Sequence, residues 1–373
     1  MGQASRLDRN RWLDALRGVA IGQVIVWHLV APLAMKRVPP LGALLTLTWT
    51  GVDLFFVLSG FLIGGILLQN RGAENYFTVF YARRMLRILP LYFVALAVYF
   101  SAFPEPFAWY YVPLLQNFAW AAKDVTGPGA FALTWSLAVE EQFYLCLPLV
   151  VMLTPPRVLP RVLIALAAIA PLVRIACHAA GATHAAYMLL PARMDSLLIG
   201  VLIAWLRQQG SLERFQRPAL IALLPLGLCY VWLGVLQATH HDVIVGTIGY
   251  TLIALFYGCL LLLVATRSGP LPRWLAPLAW LGLGAYSLYL FHEMIGRAAF
   301  AHFGPGPAAI ATIAVALIAV ALLCWHTIEQ PLISYGHRRF RYRRASGALA
   351  PADDDGAAPM GATTLHDERL THG

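Results

Sequence analysis

Ten apolar runs constrain this chain more than any other feature. Each is close to the twenty residues that an α-helix needs to cross a hydrocarbon core. They cover roughly 13–31, 46–69, 84–103, 131–153, 158–177, 188–206, 218–236, 246–265, 278–300 and 306–327. In a bilayer the backbone must satisfy its hydrogen bonds within each run, so the pattern predicts a bundle of membrane-spanning helices. Only 12% of the 373 residues are charged, against about 25% in a soluble domain. The expected fold is all-α and polytopic, with about ten transmembrane helices.

Positive charge orients the bundle. Arg6, Arg9, Arg11, Arg71, Arg83, Arg84, Arg87, Arg157, Arg161, Arg207, Arg214, Arg217, Arg267 and Arg273 alternate onto one side of a ten-span chain. The arginines after Gly336 join them. This bias predicts both termini in the cytoplasm and a multi-pass protein of the inner (cytoplasmic) membrane. The net charge of +9 therefore serves topology, and no base-reading motif accompanies it, so nucleic acid is not an expected partner. The first run is too long, and too interrupted by Arg17 and His28, for a signal peptide, and is read as a retained span. Residues 1–335 form the expected membrane domain and 336–373 a basic, then disordered, cytoplasmic tail.

Five cysteines lie in or at the end of apolar runs with no CxxC spacing, so neither a disulfide framework nor a metal cluster is expected. His178, His184, His240, His241 and His302 are scattered without a metal-ligand pattern. The longest connection, about 104–130, is rich in Trp, Tyr and Phe. It reads either as interface anchoring or as a roof over a site.

Polar residues inside the runs carry the functional signal, because the bilayer penalises them. Arg17 and His28 are eleven residues apart, almost a whole number of turns, so they share a helix face about 16 Å apart along the axis. Asp53 opens the second span, toward the same end as His28, and is a further catalytic candidate. Arg83, Arg84 and Arg87 open the third, where they and Arg17 could gather at one depth and bind phosphates. Glu140 and Glu141 lie in the fourth span, in TWSLAVEEQFYL. One of them is expected to face His28 and orient or assist its imidazole. Arg193 and Asp195 open the sixth span as a structural ion pair or a substrate contact. Trp135 and His292 are further candidates for substrate contact, and Glu329 reads either as local capping and packing or as a substrate contact. Ser59 and Gly60 are read as close-packing residues.

These residues fall within a dispersed signature. The chain resembles the integral-membrane acyltransferase-3 family over roughly residues 11–335. The resemblance runs through Arg-x10-His at 17–28, GVDLFFVLSGFLI at 51–63, the arginine-rich run at 80–93 and TWSLAVEEQFYL at 134–145. It continues through RMDSLLIG at 193–200, LGAYSLYLFH and IEQP at 328–331. It implies transfer of an acyl group, commonly acetyl, from cytoplasmic acyl-CoA to a hydroxyl of a glycan, lipid-linked sugar or glycoside on the outer face. No tightly bound cofactor is implied. The resemblance makes the histidine essential and assigns the arginines to the donor.

In the expected direct mechanism His28 deprotonates the acceptor, with help from Glu140 or Glu141, while Arg17, Arg83, Arg84 and Arg87 hold the CoA phosphates. An acyl-enzyme relay through His28 is the alternative. A lipid or solute transporter is the rival class, since buried acids and a histidine also suit proton coupling. The absence of an internal repeat weighs against a transporter built from inverted halves.

Overall fold

The computed structural model describes residues 10–104, 106–235 and 242–344. Arg6, Arg9, His240, His241 and the acidic tail beyond Arg344 lie outside the described residues.

Twelve helical stretches follow one another: α1 (Arg11–Arg37), α2 (Pro39–Gln69), α3 (Tyr76–Ala102), the short α4 (Gln116–Ala122), α5 (Gly129–Leu153), α6 (Leu159–Ala179), α7 (Thr183–Gln208), α8 (Leu212–Val235), α9 (Val245–Ala265), α10 (Arg273–Leu283), α11 (Ala285–Phe303) and α12 (Pro307–Arg339). Among the described residues, nine of these are long and apolar enough to cross a membrane. The pair α10–α11, bent by 75°, makes a broken tenth span. The protein is an all-α, multi-pass integral membrane protein. Many large apolar side chains of α6, α8 and α12 remain exposed, Ile221 and Leu224 of α8 among them, as lipid-facing positions require.

Two spans depart from their expected shape. The third begins at Tyr76 rather than at residue 84, so its arginines stand two to three turns inside the helix instead of at its mouth. The ninth is broken at Gly284, which separates α10 from α11.

Glycine sets how closely the core helices approach. A Cβ on Gly60 of α2 would fall 1.8 Å from the Leu197 carbonyl oxygen of α7, and one on Gly200 would fall 2.1 Å from that of Val57. The two helices meet backbone to backbone, which small residues alone permit. Gly18 and Gly282 do the same for α1 and α10, against the carbonyls of Leu278 and Asp14.

Proline produces a second device. Pro32 and Pro331 each follow a turn of π-helix, Val26–Val30 in α1 and Trp325–Glu329 in α12. A proline has no N–H to donate, and its ring collides with the carbonyl four residues back. Widening the preceding turn relieves that collision. Ala31 N–H then reaches the Val26 carbonyl, and Gln330 N–H that of Trp325.

The connection between α3 and α5 packs on the bundle. The Asn117 and Gln142 side-chain amides exchange hydrogen bonds of 3.3 and 2.9 Å, and Gln142 also donates to the Leu114 carbonyl. Trp109 remains 72% exposed, so the segment combines a tied inner layer with an aromatic outer edge. The C-terminal end is ordered further than the expected boundary at 336. Helix α12 runs to Arg339, and residues to 344 lie along the start of α3. Asn75 donates to the Arg341 carbonyl at 2.8 Å and accepts from Arg343 N–H at 3.0 Å.

Overpacking a buried close approach costs about 1–3 kcal/mol. Gly60→Leu and Gly200→Leu are therefore expected to lower the melting temperature of the detergent-purified protein sharply. Gly22→Ala, whose Cβ meets nothing within 4 Å, is expected to leave it unchanged or higher. Equal melting of all three variants would contradict glycine-set packing.

Candidate active site

The arginines diverge at the point where α3 enters the bundle. Arg84 and Arg87 turn into a cavity of about 150 Å³ that Arg17 of α1 also lines. Arg83 points elsewhere. Its Nε and Nη2 donate to the Phe340 carbonyl at 3.0 and 2.9 Å, and its guanidinium stacks on Tyr342. Adjacent helical residues face different directions, so Arg83 anchors the C-terminal segment rather than joining the cavity.

The cavity's other walls come from α2 (Phe55, Ser59), α5 (Ser136, Glu140, Tyr144), α10–α11 (Gly282, Tyr286, Tyr289) and α12 (Trp325, Glu329). Glu140 stands here, hydrogen-bonded by Ser59 and Tyr144, with Arg17 and Arg87 as its charged neighbours. Glu141 faces a different direction and has Arg84 as its cationic neighbour. Glu329 is 4% exposed, next to Arg87 and Ser287. It lies on the π turn of α12 and lines the cavity, so capping alone does not describe its place. Pro331 two residues later was the available signal.

His28 sits on the π turn of α1. Its ring neighbour is His292 of α11 rather than Glu140 or Glu141. The His28 Nδ1 lies 2.9 Å from the Val24 carbonyl oxygen and 3.2 Å from His292 Nε2. The His292 Nδ1 lies 3.1 and 2.8 Å from the carbonyl oxygens of Leu288 and Tyr289. A carbonyl oxygen has no proton to give, so both Nδ1 atoms carry the hydrogen. His292 Nε2 then accepts from His28 Nδ1–H, and His28 Nε2 keeps its lone pair. The expected carboxylate partner is replaced by a neutral imidazole that is fully buried.

Glu293 supplies the nearby charge. One of its oxygens lies within 4.8 Å of ring nitrogens of both histidines, and it accepts from Arg297 Nε at 2.9 Å. Three such groups could hold a cation by proximity. The hydrogen-bond pattern instead directs the His292 lone pair at His28, which suits a proton acceptor. Arg17 and His28 both face the α10–α11 element, one toward Gly282–Tyr286 and the other toward His292. Tyr289 stands between the cavity and the imidazoles. It lines the cavity, packs 6.0 Å from the His292 ring and hydrogen-bonds Ser136 at 2.6 Å and the Leu133 carbonyl at 2.7 Å.

Asp53, Arg193, Asp195 and Trp135 form a separate buried cluster. Arg193 pairs with Asp53 at 2.6 Å rather than with Asp195. Asp195 pairs with Arg174 at 2.9 Å and accepts from Thr251 at 2.7 Å. The Arg193 guanidinium lies 3.6 Å from the Tyr250 ring centroid, with Trp135, Phe56 and Tyr187 around it. This charge ladder joins α2, α6, α7 and α9.

The chain's likenesses identify the scaffold that carries this cavity and these imidazoles. Residues 10–328 match the model of an acyltransferase domain. The chain belongs to the acyltransferase-3 family. It is 25% identical to the O-acetyltransferase OatA of Staphylococcus aureus over 364 residues, covering 88% of this chain and 58% of that protein. It is 27% identical to the putative peptidoglycan O-acetyltransferase YrhL of Bacillus subtilis, covering 89% and 56%. A third relative, the peptidoglycan O-acetyltransferase OatA of Listeria monocytogenes, is also 27% identical, covering 76% and 49%. The chain thus spans about half the length of the curated relatives it matches. No solved structure matches it. Membership supports acyl transfer on a polytopic membrane scaffold.

Removing one partner of a buried ion pair leaves an uncompensated charge and costs about 3–5 kcal/mol. Asp53→Ala is therefore expected to abolish the folded acyltransferase-3 protein in a detergent size-exclusion assay. The double variant Asp53→Ala/Arg193→Met is expected to recover much of it. A double variant no better than the single would argue against the ladder's structural role.

Proposed function

We propose that this protein is an O-acyltransferase that moves an acyl group, acetyl in the simplest case, from acyl-CoA to a hydroxyl of a glycan, lipid-linked sugar or glycoside. The observation that carries the reading is a cavity lined by Arg17, Arg84, Arg87 and Tyr289, with the His292 ring packed against Tyr289 and His28 hydrogen-bonded to His292. The peptidoglycan O-acetyltransferases among the relatives support acetyl as the acyl group and a cell-envelope sugar as the acceptor. The arginine bias supports termini in the cytoplasm, insertion in the cytoplasmic membrane, donor entry from inside and chemistry toward the outer face.

In this mechanism His28 Nε2 takes the proton of the acceptor hydroxyl. The oxygen attacks the thioester carbonyl, the carbon–sulfur bond breaks, and the departing thiolate recovers the proton from the imidazolium. His292 fixes the Nδ1–H tautomer of His28, the orienting job that a carboxylate performs in hydrolase triads. Glu293 lies close enough to favour the imidazolium that forms. Arg17, Arg84 and Arg87 define the donor end. Transfer is direct in this mechanism, with no acyl group held on His28.

A positioned general base contributes about 10²–10⁴-fold to rate. His28→Ala is therefore expected to reduce acetyl-CoA-dependent thiol release, and acetylation of a sugar acceptor, by about that factor while the protein stays folded. His292→Ala is expected to lower kcat with little change in the donor KM. Wild-type turnover by His28→Ala would overturn the proposed base, and a purified protein that releases no thiol with any glycan acceptor would favour transport instead.

A further inference from the structure

The cavity arginines do not form a bare cationic patch. Arg17 pairs with Asp14 at 3.5 Å. Arg87 has Glu140 and Glu329 as charged neighbours, and Arg84 has Glu141. Three guanidiniums therefore have four carboxyl groups as neighbours, two of which, Glu140 and Glu329, line the cavity with them. A phosphate placed there would have to compete with those carboxyl groups for the guanidiniums.

Glu329 supplies the second observation. It is 4% exposed and lines the cavity, and its Oε1 makes no hydrogen bond. A buried polar oxygen without a partner is costly, and this one borders open space. The cavity therefore offers acceptors (Glu329, Glu140) and donors (the guanidiniums) along apolar walls such as Phe55, Leu62 and Leu137. Such a lining complements a narrow chain of alternating methylene, N–H and C=O groups. From Ile333 in its wall, α12 reaches the exposed Arg338 and Arg339 within two turns, so cations unencumbered by the cavity's acids begin just beyond it.

We infer that the cavity takes the uncharged, amide-bearing pantetheine arm of the donor thioester. Glu329 Oε1 accepts from an arm N–H or hydroxyl, and the arginines donate to arm carbonyls. The nucleotide phosphates stay outside, toward the arginines that end α12. The inference rests on the acyl-CoA reading above and refines which part of the donor these residues read.

Calorimetry on the full-length purified protein in detergent separates the possibilities. The probes are coenzyme A, pantetheine (the arm without phosphates) and adenosine 3′,5′-bisphosphate (phosphates without the arm). Pantetheine is expected to bind and to compete with coenzyme A. Glu329→Gln is expected to weaken pantetheine about fivefold, the loss of one charge-assisted hydrogen bond, and to leave the bisphosphate unchanged. The unchanged bisphosphate also reports that the variant is folded, and the wild-type comparison stands without it. Arg87→Gln is expected to leave bisphosphate binding intact. Coenzyme A binding without any pantetheine competition, or bisphosphate binding lost in Arg87→Gln, would overturn this inference alone. No binding of coenzyme A to the wild type would overturn the donor assignment with it.

Discussion

A charge inside a membrane protein must be matched within reach of its own side chain, and this constraint shapes the whole bundle. Arg174 and Arg193 are fully buried, and each meets an aspartate from another helix. Helices α2, α6, α7 and α9 cannot slide without breaking one of these pairs, so the cluster sets register as well as neutralising charge. Aromatic faces around Arg193 add attraction that survives desolvation. The glycine contacts between α2 and α7 then become usable, because two backbones can meet at van der Waals range only if the helices hold one register.

With that scaffold fixed, the site is made by two local irregularities. His28 and Glu329 each sit on a π turn set up by a following proline. Single π turns are rare and concentrate at functional positions. Here the cause is visible in the chain, since Pro32 and Pro331 each remove a backbone donor and crowd the carbonyl four residues earlier. One turn delivers an imidazole to α11 and the other delivers a carboxyl group to the cavity.

Much of this was legible in sequence, and the parts that were not have a common cause. The spans were readable because hydrocarbon thickness imposes a length on every helix. The shared face of Arg17 and His28 was readable because helical phase is local. The broken span at Gly284 was less so, because run length does not distinguish a straight helix from two halves joined at an angle. Partner choice was hidden for the same reason. Arg193 and Asp195 are neighbours in sequence, yet each pairs across helices, with Asp53 and Arg174. Glu140 looked like the partner of His28 because both were read toward one end of the bundle. Contact with Arg17 and Arg87 instead assigns it to the cavity, and the imidazole partner came from LGAYSLYLFH, a piece noted for its pattern and not for its histidine.

A His292 partner in place of a carboxylate changes what the proposed base His28 can do. A buried carboxylate beside His28 would bring a permanent charge into the membrane and would need its own counter-ion. A neutral imidazole orients the same Nδ1–H without that cost, because backbone carbonyls of α11 hold its far side. Charge is supplied instead by Glu293, which shares itself with Arg297 nearer the end of α11, where Arg297 is exposed. Orientation and charge stabilisation are thus split between adjacent residues on one helix. The split leaves Glu140 and Glu329 available at the arginine end, where the same economy applies: guanidiniums are kept in the bilayer by acids, and the pairs together present a lining of hydrogen-bond donors and acceptors rather than a field of one sign.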